Sequence, residues 1–379
     1  MPSVYLDHAA STPLLPVAQD AVASALADGL GNPSSAHSAG RKARQRLEDA
    51  RDRVATLLGA RAEEVVFTSG ATEANNLALF GLVSREATPS ALGVASRRTE
   101  LLSSAIEHPC VVEPLRQLGG VAWLPVSPAG VVEVQTVLSH VTADTRLVSL
   151  MLANHETGAI QPVRDVAKLL PKPTAVHTDA AQAVGKLAVN FRDLGVTALT
   201  ASAHKFGGPV GVGLLLLKGG EKLRPQMFGG HQQRGHRPGT EPVALAVGLA
   251  AALEHATANL TANTDAVVKL RAAFLGRLTG VGGVVNGATD PLPHILNISF
   301  PGCRSELLLM ALDLAGVQCG TGSACSSGSL LPSPVLEAMG VPDDRLQSAM
   351  RFSFSPRLTV EEVEWAADRV AECVRRVRG

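Results

Sequence analysis

Short apolar runs alternate with stretches of helical period along most of this chain, and that alternation constrains the fold more than any other feature. The runs are residues 65–67, 101–106, 147–152, 175–176, 198–201 and 212–217. Just before the first of them, residues 41–58 set Ala43, Leu47, Ala50, Val54 and Leu57 on one face, and Gly59 comes next as a helix terminator. Strands separated by helices predict an α/β protein with a mostly parallel sheet. Ligands of such sheets bind outside the carboxyl ends of the strands, so the residues just past each run matter most. Phe67 is followed by Thr68-Ser69-Gly70-Ala71-Thr72-Glu73, Ile106 by Glu107-His108 and Val176 by His177-Thr178-Asp179. Asn154 comes after Leu152, and Ser202-Ala203-His204-Lys205 after Ala201. Five strand ends thus direct polar chemistry to one place.

The chain has 379 residues, room for a large domain with a buried sheet and a smaller second one. Aromatic residues make up 3% against 46% hydrophobic, so the core rests on Val, Leu, Ile and Ala. A composition shift near residues 241–262, where an Ala-rich helical stretch succeeds a loop of Gly, His and Arg, marks the start of the second domain. Beyond it come a helix, a strand at Asn297-Ile298-Ser299-Phe300, a helix over 306–314, a Gly/Ser-rich loop around Cys325 and a closing helix from Val360.

Basic and acidic residues balance at 34 each, with no basic stripe interleaved with aromatics, so no nucleic-acid partner is expected. The opening MPSVYLDHAA carries no leader pattern and no window is long enough to span a membrane, which predicts a cytoplasmic protein. The five cysteines, Cys110, Cys303, Cys319, Cys325 and Cys373, form no C-x-x-C pair and suit neither a disulfide framework nor a zinc site. No second His/Asp pair accompanies His177-Thr178-Asp179, so no metal site is expected. Cys325 differs from the other thiols in its loop, Cys319-Gly-Thr-Gly-Ser-Ala-Cys325-Ser-Ser-Gly-Ser, which is too rich in Gly and Ser for a core strand. The remaining cysteines read as ordinary buried thiols.

Three candidate groups belong together. Ser69-Gly70-Ala71-Thr72, at a strand-to-helix turn, offers backbone N–H groups, a hydroxyl and a helix N-terminus to a phosphate. Alone, it also suits an ordinary turn. Lys205, at a strand end among small residues, suits imine formation with an aldehyde, since partial burial lowers an amine's pKa; alone, it also reads as an exposed lysine. Asp179 ends a different strand and suits a pyridinium nitrogen.

With these residues in view, the chain resembles the cysteine desulfurases of the nitrogen-fixation and iron–sulfur housekeeping type, class V aminotransferase-like pyridoxal-phosphate enzymes of fold type I. The resemblance runs over nearly the whole chain. It is carried by Tyr5-Leu6-Asp7-His8-Ala9-Ala10, Gly31-Asn32-Pro33-Ser34-Ser35 with His37, Phe67-Thr68-Ser69-Gly70-Ala71-Thr72-Glu73, and Glu107-His108. His177-Thr178-Asp179-Ala180-Ala181-Gln182, His204-Lys205, Arg237-Pro238-Gly239-Thr240 and Gly322-Ser323-Ala324-Cys325 complete it. The fold implied is a mostly parallel seven-stranded sheet flanked by helices, over residues 15–255. A smaller α+β domain of residues 1–14 and 256–379 is implied to carry the Cys325 loop.

The resemblance further implies a role for each matching position. Lys205 carries pyridoxal 5'-phosphate as an imine, Asp179 pairs with the ring nitrogen, and Asn154 and Gln182 contact the ring hydroxyl. His108 stacks on the ring and is the candidate for proton traffic. Ala71, Thr72, Ser202 and His204 hold the phosphate, and Thr240 reaches in from the second subunit of a homodimer. Arg351, with Asn154, takes the carboxylate of the substrate L-cysteine. Lys205 moves the Cα proton, Cys325 thiolate attacks the substrate sulfur, alanine leaves, and the persulfide passes to a sulfur-acceptor protein such as an iron–sulfur scaffold or a sulfur relay.

Two departures stand out. Asn154-His155-Glu156 replaces the usual Asn-Asn-Glu, and the sequence stops at Gly379 without the longer tail by which housekeeping members engage their scaffold. Selenocysteine lyases share much of the motif set. An aminotransferase or kynureninase-like enzyme would make Cys325 incidental, and a non-catalytic sulfur scaffold would keep the fold without the chemistry.

Overall fold

The computed structural model describes residues 3–29, 31–83, 100–322 and 332–378. After β1 (Val4–Tyr5), helix α1 (Pro16–Ala27) starts on a proline, tolerated there because the first N–H groups of a helix have no intrahelical acceptor. Helix α2 (Ser38–Leu57) is capped by His37, whose ring accepts the Gly40 N–H. It buries Ala43, Leu47, Ala50 and Val54, the stripe expected from the period, and Gly59 turns the chain at a φ of +64°.

The main sheet then assembles from β2 (Val65–Thr68), β3 (Glu100–Ser104), β4 (Val121–Leu124), β5 (Thr145–Ser149), β6 (Ala175–Asp179), β7 (Ala198–Ser202) and β8 (Gly213–Leu217). Its order is β2-β8-β7-β6-β5-β3-β4. Helices α3 (Ala71–Val83), α4 (Pro109–Leu118), α5 (Val134–His140), α6 (Val163–Leu169) and α7 (Phe191–Leu194) make the connections. The pairs β3–β4, β3–β5, β5–β6 and β6–β7 are parallel, whereas β8 runs antiparallel to both β7 and β2. The reason is the connection: residues 203–212 hold only a single 3-10 turn, too little for the crossover that a parallel pair needs.

Alternation along the strands divides the side chains between two cores, as a sheet covered on both faces requires. Val65, Phe67, Leu102, Val148, Leu214 and Leu216 join the core behind α2; Val66, Leu101, Leu147 and Leu215 join the one under α3 and α4. β4, an edge strand with Leu124 as its one buried residue, forms no buried run and was not among the expected strands. The expected runs 101–106 and 147–152 leave the sheet at Ser104 and Ser149, and the run 175–176 extends through His177 and Thr178 to end at Asp179, the strand end expected of it.

Helix α8 (Val243–Ala258) packs its apolar residues into the core behind α2. A bend of 72° at Asn259 then leads into α9 (Leu260–Arg277), whose Val267, Leu270 and Phe274 lie in a separate core. That core is shared with β10 (Ile295–Ser299), α10 (Ser305–Leu314), β11 (Val317–Gln318), β12 (Ala349–Ser353) and α13 (Val360–Arg378), while β9 (Val284–Asn286) keeps its two valines exposed. β10 pairs antiparallel with β9 and β12, and β11 pairs in parallel with β1, which ties the start of the chain to this second body. The short helices α11 (Pro334–Ala338) and α12 (Asp343–Leu346) lead into β12. Among the described residues no single helix is long and apolar enough to cross a membrane.

Candidate active site

The carboxyl ends of β2, β6 and β7, with the turns after β3 and β5, surround a cavity of about 370 Å³. Ser69, Gly70, Ala71 and Thr72 line it at the N-terminus of α3, where backbone N–H groups and the helix dipole favour an anion. The Ser69 N–H donates to Glu73 Oε2 at 2.7 Å, and Glu73 also accepts from Arg237 Nε at 2.9 Å. The turn is tight because β8 starts against it: a Cβ on Gly213 would stand 2.6 Å from the Gly70 carbonyl carbon.

Lys205 ends the 3-10 turn that succeeds β7, and its Nζ donates to Ala9 O at 2.7 Å and Ala10 O at 2.9 Å. The motif at the start of the chain therefore meets the lysine in space. Asp179, buried on β6, accepts the Ala181 N–H at 2.9 Å on one oxygen and the Asn75 amide at 2.8 Å on the other. Gln182 Nε2 donates to Ala9 O at 2.9 Å, while Gln182 Oε1 is buried without a hydrogen-bond partner among the described residues. Ser202 and His204 complete the wall. Burial, and then Lys205, push His204 down to about 4, so its imidazole is neutral, with Nδ1 at 3.2 Å from Ser11 Oγ.

His108 caps α4, accepting the Cys110 N–H at 3.2 Å, and its ring meets that of His155 edge-on at 5.1 Å between centroids. Burial lowers the His108 pKa; Asp179 opposes this, while Lys205 and Arg351 reinforce it. His155, the departure from the usual Asn-Asn-Glu, also lines the cavity, and burial, His108 and Arg351 hold it well below the ordinary imidazole range.

Ala71, Thr72, His108, Asp179, Gln182, Ser202, His204 and Lys205 thus share one cavity. Asn154 is fully buried and outside its lining: its amide donates to Ile106 O at 3.0 Å and its oxygen accepts the Glu156 and Thr157 N–H groups at 2.9 Å. Arg351, on β12, is also outside the lining; its guanidinium donates to Asp7 Oδ1 at 2.8 Å and His155 O at 3.0 Å. Thr240 is exposed, on a loop anchored through the Arg237–Glu73 pair and through Gln233, whose Oε1 accepts the Phe67 N–H at 2.9 Å. Cys325 lies outside the described residues. Among the described residues no group of three His, Cys, Asp or Glu side chains is placed to hold a metal ion.

Sequence reasoning missed Asn75 and Cys110. Asn75 is fully buried, and besides holding Asp179 its oxygen sits 2.5 Å from Thr200 Oγ1 and 3.0 Å from His177 Nε2. Cys110 Sγ lies 2.9 Å from His108 Nδ1 and 3.0 Å from Asn75 Nδ2, and burial with Asp179 raises its pKa far above the ordinary thiol range. The available signal was an amide one helical turn after Ala71, on the face α3 turns to the sheet.

The model of the class-V aminotransferase family matches residues 4–365. A protein named cysteine desulfurase IscS, from Dictyoglomus turgidum, is 38% identical over 385 residues, which cover 99% of this chain and 95% of that protein. A solved structure named NifS-like protein superposes with a TM-score of 0.90 at 34% identity, over 99% of this chain and 100% of its own. Another, named SspA in complex with cysteine, gives 0.82 at 31% identity, over 94% and 99%. Agreement in sequence and in fold across nearly the full length makes this chain a member of the class-V aminotransferase family, in its group of IscS- and NifS-like cysteine desulfurases.

Proposed function

We propose that this chain is a pyridoxal-phosphate-dependent cysteine desulfurase, converting L-cysteine to L-alanine and retaining the sulfur on Cys325 as a persulfide. The observation that carries the proposal is the convergence of an anion-binding turn, a lysine and a buried carboxylate in one cavity of about 370 Å³. The residues fit the cofactor. The Ser69–Thr72 turn, Ser202 and His204 suit its phosphate, Asp179 its ring nitrogen, Lys205 its aldehyde, and the Gln182 oxygen, without a partner among the described residues, supplies a buried polar contact for its ring. When bound, pyridoxal phosphate supplies a sink for the electrons left at the substrate Cα.

The chain's own groups do the rest. Lys205 Nζ takes the Cα proton and returns it during alanine formation. His108 serves proton transfer at the substrate sulfur or Cβ, a task suited to an imidazole kept neutral by burial. Cys325 thiolate attacks the substrate sulfur: an S–S bond forms, the C–S bond breaks, and Cβ keeps the electron pair and is protonated. Enzyme thiol plus cysteine thereby gives enzyme persulfide plus alanine. Arg351 clamps the substrate carboxylate by exchanging Asp7 for it, and Asn154 supports the same end of the site.

We further infer that residues 15–255 form the cofactor-bearing domain and residues 1–14 with 256–379 the one that carries the Cys325 segment. A cytoplasmic homodimer, with Thr240 completing the phosphate site of its partner and the persulfide passed to an acceptor protein, belongs to the same reading.

Incubation of the purified protein with L-cysteine tests the proposal. Alanine and a protein persulfide are expected together. Lys205→Ala loses the cofactor's visible absorption band and both products; Cys325→Ala keeps the band and lowers persulfide formation by more than about a hundredfold. Alanine from selenocysteine alone would reassign the chain as a selenocysteine lyase, and undiminished sulfur release by Cys325→Ala would remove the nucleophile.

A further inference from the structure

Lys205 also lines a second cavity, of about 300 Å³, and is the one described residue the two cavities share. Phe206 and Ala256 bring to it the core behind the main sheet, and Val267 and Phe354 bring the second core. Six of the lining residues are basic, His8, Lys186, Lys205, His255, His294 and Arg357, and none of the described ones is acidic.

Three of them present a buried nitrogen without a hydrogen-bond partner among the described residues: His8 Nε2, Lys186 Nζ and His294 Nε2. His8 is 6% and His294 4% exposed. They come from separate segments, after β1, after β6 and before β10, so local sequence does not account for their meeting. His8 Nδ1 is 2.7 Å from Thr12 Oγ1. Burial, assisted by the Lys186 charge, brings His8 down to about 4, and burial with Lys205 brings Lys186 down to about 7. Lys186 Nζ is a donor, and an acceptor-rich anion supplies its missing acceptor beside two imidazoles that can each turn a ring N–H to it.

The remaining walls select its kind. Leu15, Phe206, Val267 and Phe354 favour a hydrocarbon body, and the Lys186 ammonium, with Lys205 and Arg357 on the same wall and no acidic residue among the described lining, favours a negatively charged end. We infer that this cavity binds a small monocarboxylate with an apolar body, its oxygens held by Lys186 Nζ, His8 Nε2 and His294 Nε2. Such a ligand borders Lys205 without occupying the cavity assigned to catalysis, and the inference does not depend on the reaction proposed above.

Titration calorimetry on the full chain with its cofactor tests it, with benzoate as the probe and benzamide as its uncharged isostere. Benzoate is expected to bind once per chain with a Kd of roughly millimolar order and to raise the thermal midpoint, whereas benzamide gives no saturable heat. Lys186→Met should weaken benzoate at least about tenfold. Thr264→Phe, which fills the cavity from the partly exposed face of α9, should do the same and carries the test if the first variant fails to fold. Equal affinity for benzoate and benzamide, binding unchanged in both variants, or no saturable binding at all would overturn the assignment. So would binding of inorganic phosphate, but not benzoate, that Lys186→Met removes.

Discussion

Glu107 is a buried carboxyl next to His108 in the chain. It is 5% exposed; one oxygen accepts from Ser104 Oγ at 2.6 Å and from the Met151 N–H at 2.8 Å, and the other has no partner among the described residues. Burial raises its pKa to about 8, from 4.5 for a free side chain. Between those values the folded chain keeps the proton that the unfolded chain releases, so this group's contribution to stability is complete below about pH 4.5 and lost as pH rises through about 8. Glu107→Gln keeps the acceptor for Met151 and removes the titration. Its thermal midpoint should fall less than the parent's between about pH 5 and pH 8, a relative gain of roughly 1–3 kcal/mol at the upper end; equal slopes would show that Glu107 stays charged. His108, Asp179 and Lys205 were legible because each stands at or just past a strand end, where chain direction alone sends it to the ligand side. Asn75, Cys110 and Arg351 were not legible in what they touch. A hydrogen bond from Asn75 to Asp179 joins residues 104 positions apart, and the Arg351–Asp7 pair spans 344.

At the scale of elements, α2 shows how tertiary packing overrides helix propensity. A Cβ on Gly40 would run into the Ser35 carbonyl oxygen and stand 2.8 Å from Asn32 O, backbone atoms that have no room to yield. Gly276, near the end of α9, has nothing within 4 Å of the same position. Gly276→Ala should therefore stabilise the protein by about 0.5–1 kcal/mol, and Gly40→Ala should destabilise it by roughly 1–3 kcal/mol despite the same gain in propensity. Urea denaturation of the two variants measures both; a stabilised Gly40→Ala would mean that the Asn32–Ser35 turn adapts. The period of residues 41–58 was enough to find α2 and its buried stripe. The direction of β8 was not so evident, because an apolar run reads the same in either direction and the short link 203–212 decides it.

For the whole molecule, the separate cores imply that the two proposed domains can lose stability separately. Phe274, fully buried, packs between Phe352 and Phe354 at ring distances of 4.9 and 5.4 Å. Phe274→Ala should cost about 3–5 kcal/mol and lower amide-exchange protection in α9 and α13 while strands β5–β7 keep theirs. Uniform loss across both bodies would show one cooperative unit. By itself the sequence determined the alternation of strand and helix, the polar strand ends and the family motifs, all of which rest on local spacing and residue chemistry. Tertiary structure alone decided that β8 turns back between β2 and β7, that the first residues of the chain fold against Lys205, and that His8, Lys186 and His294 meet in one cavity. The physical reason is that these contacts join segments far apart in the chain, and burial of shared apolar surface, not local periodicity, brings such segments together.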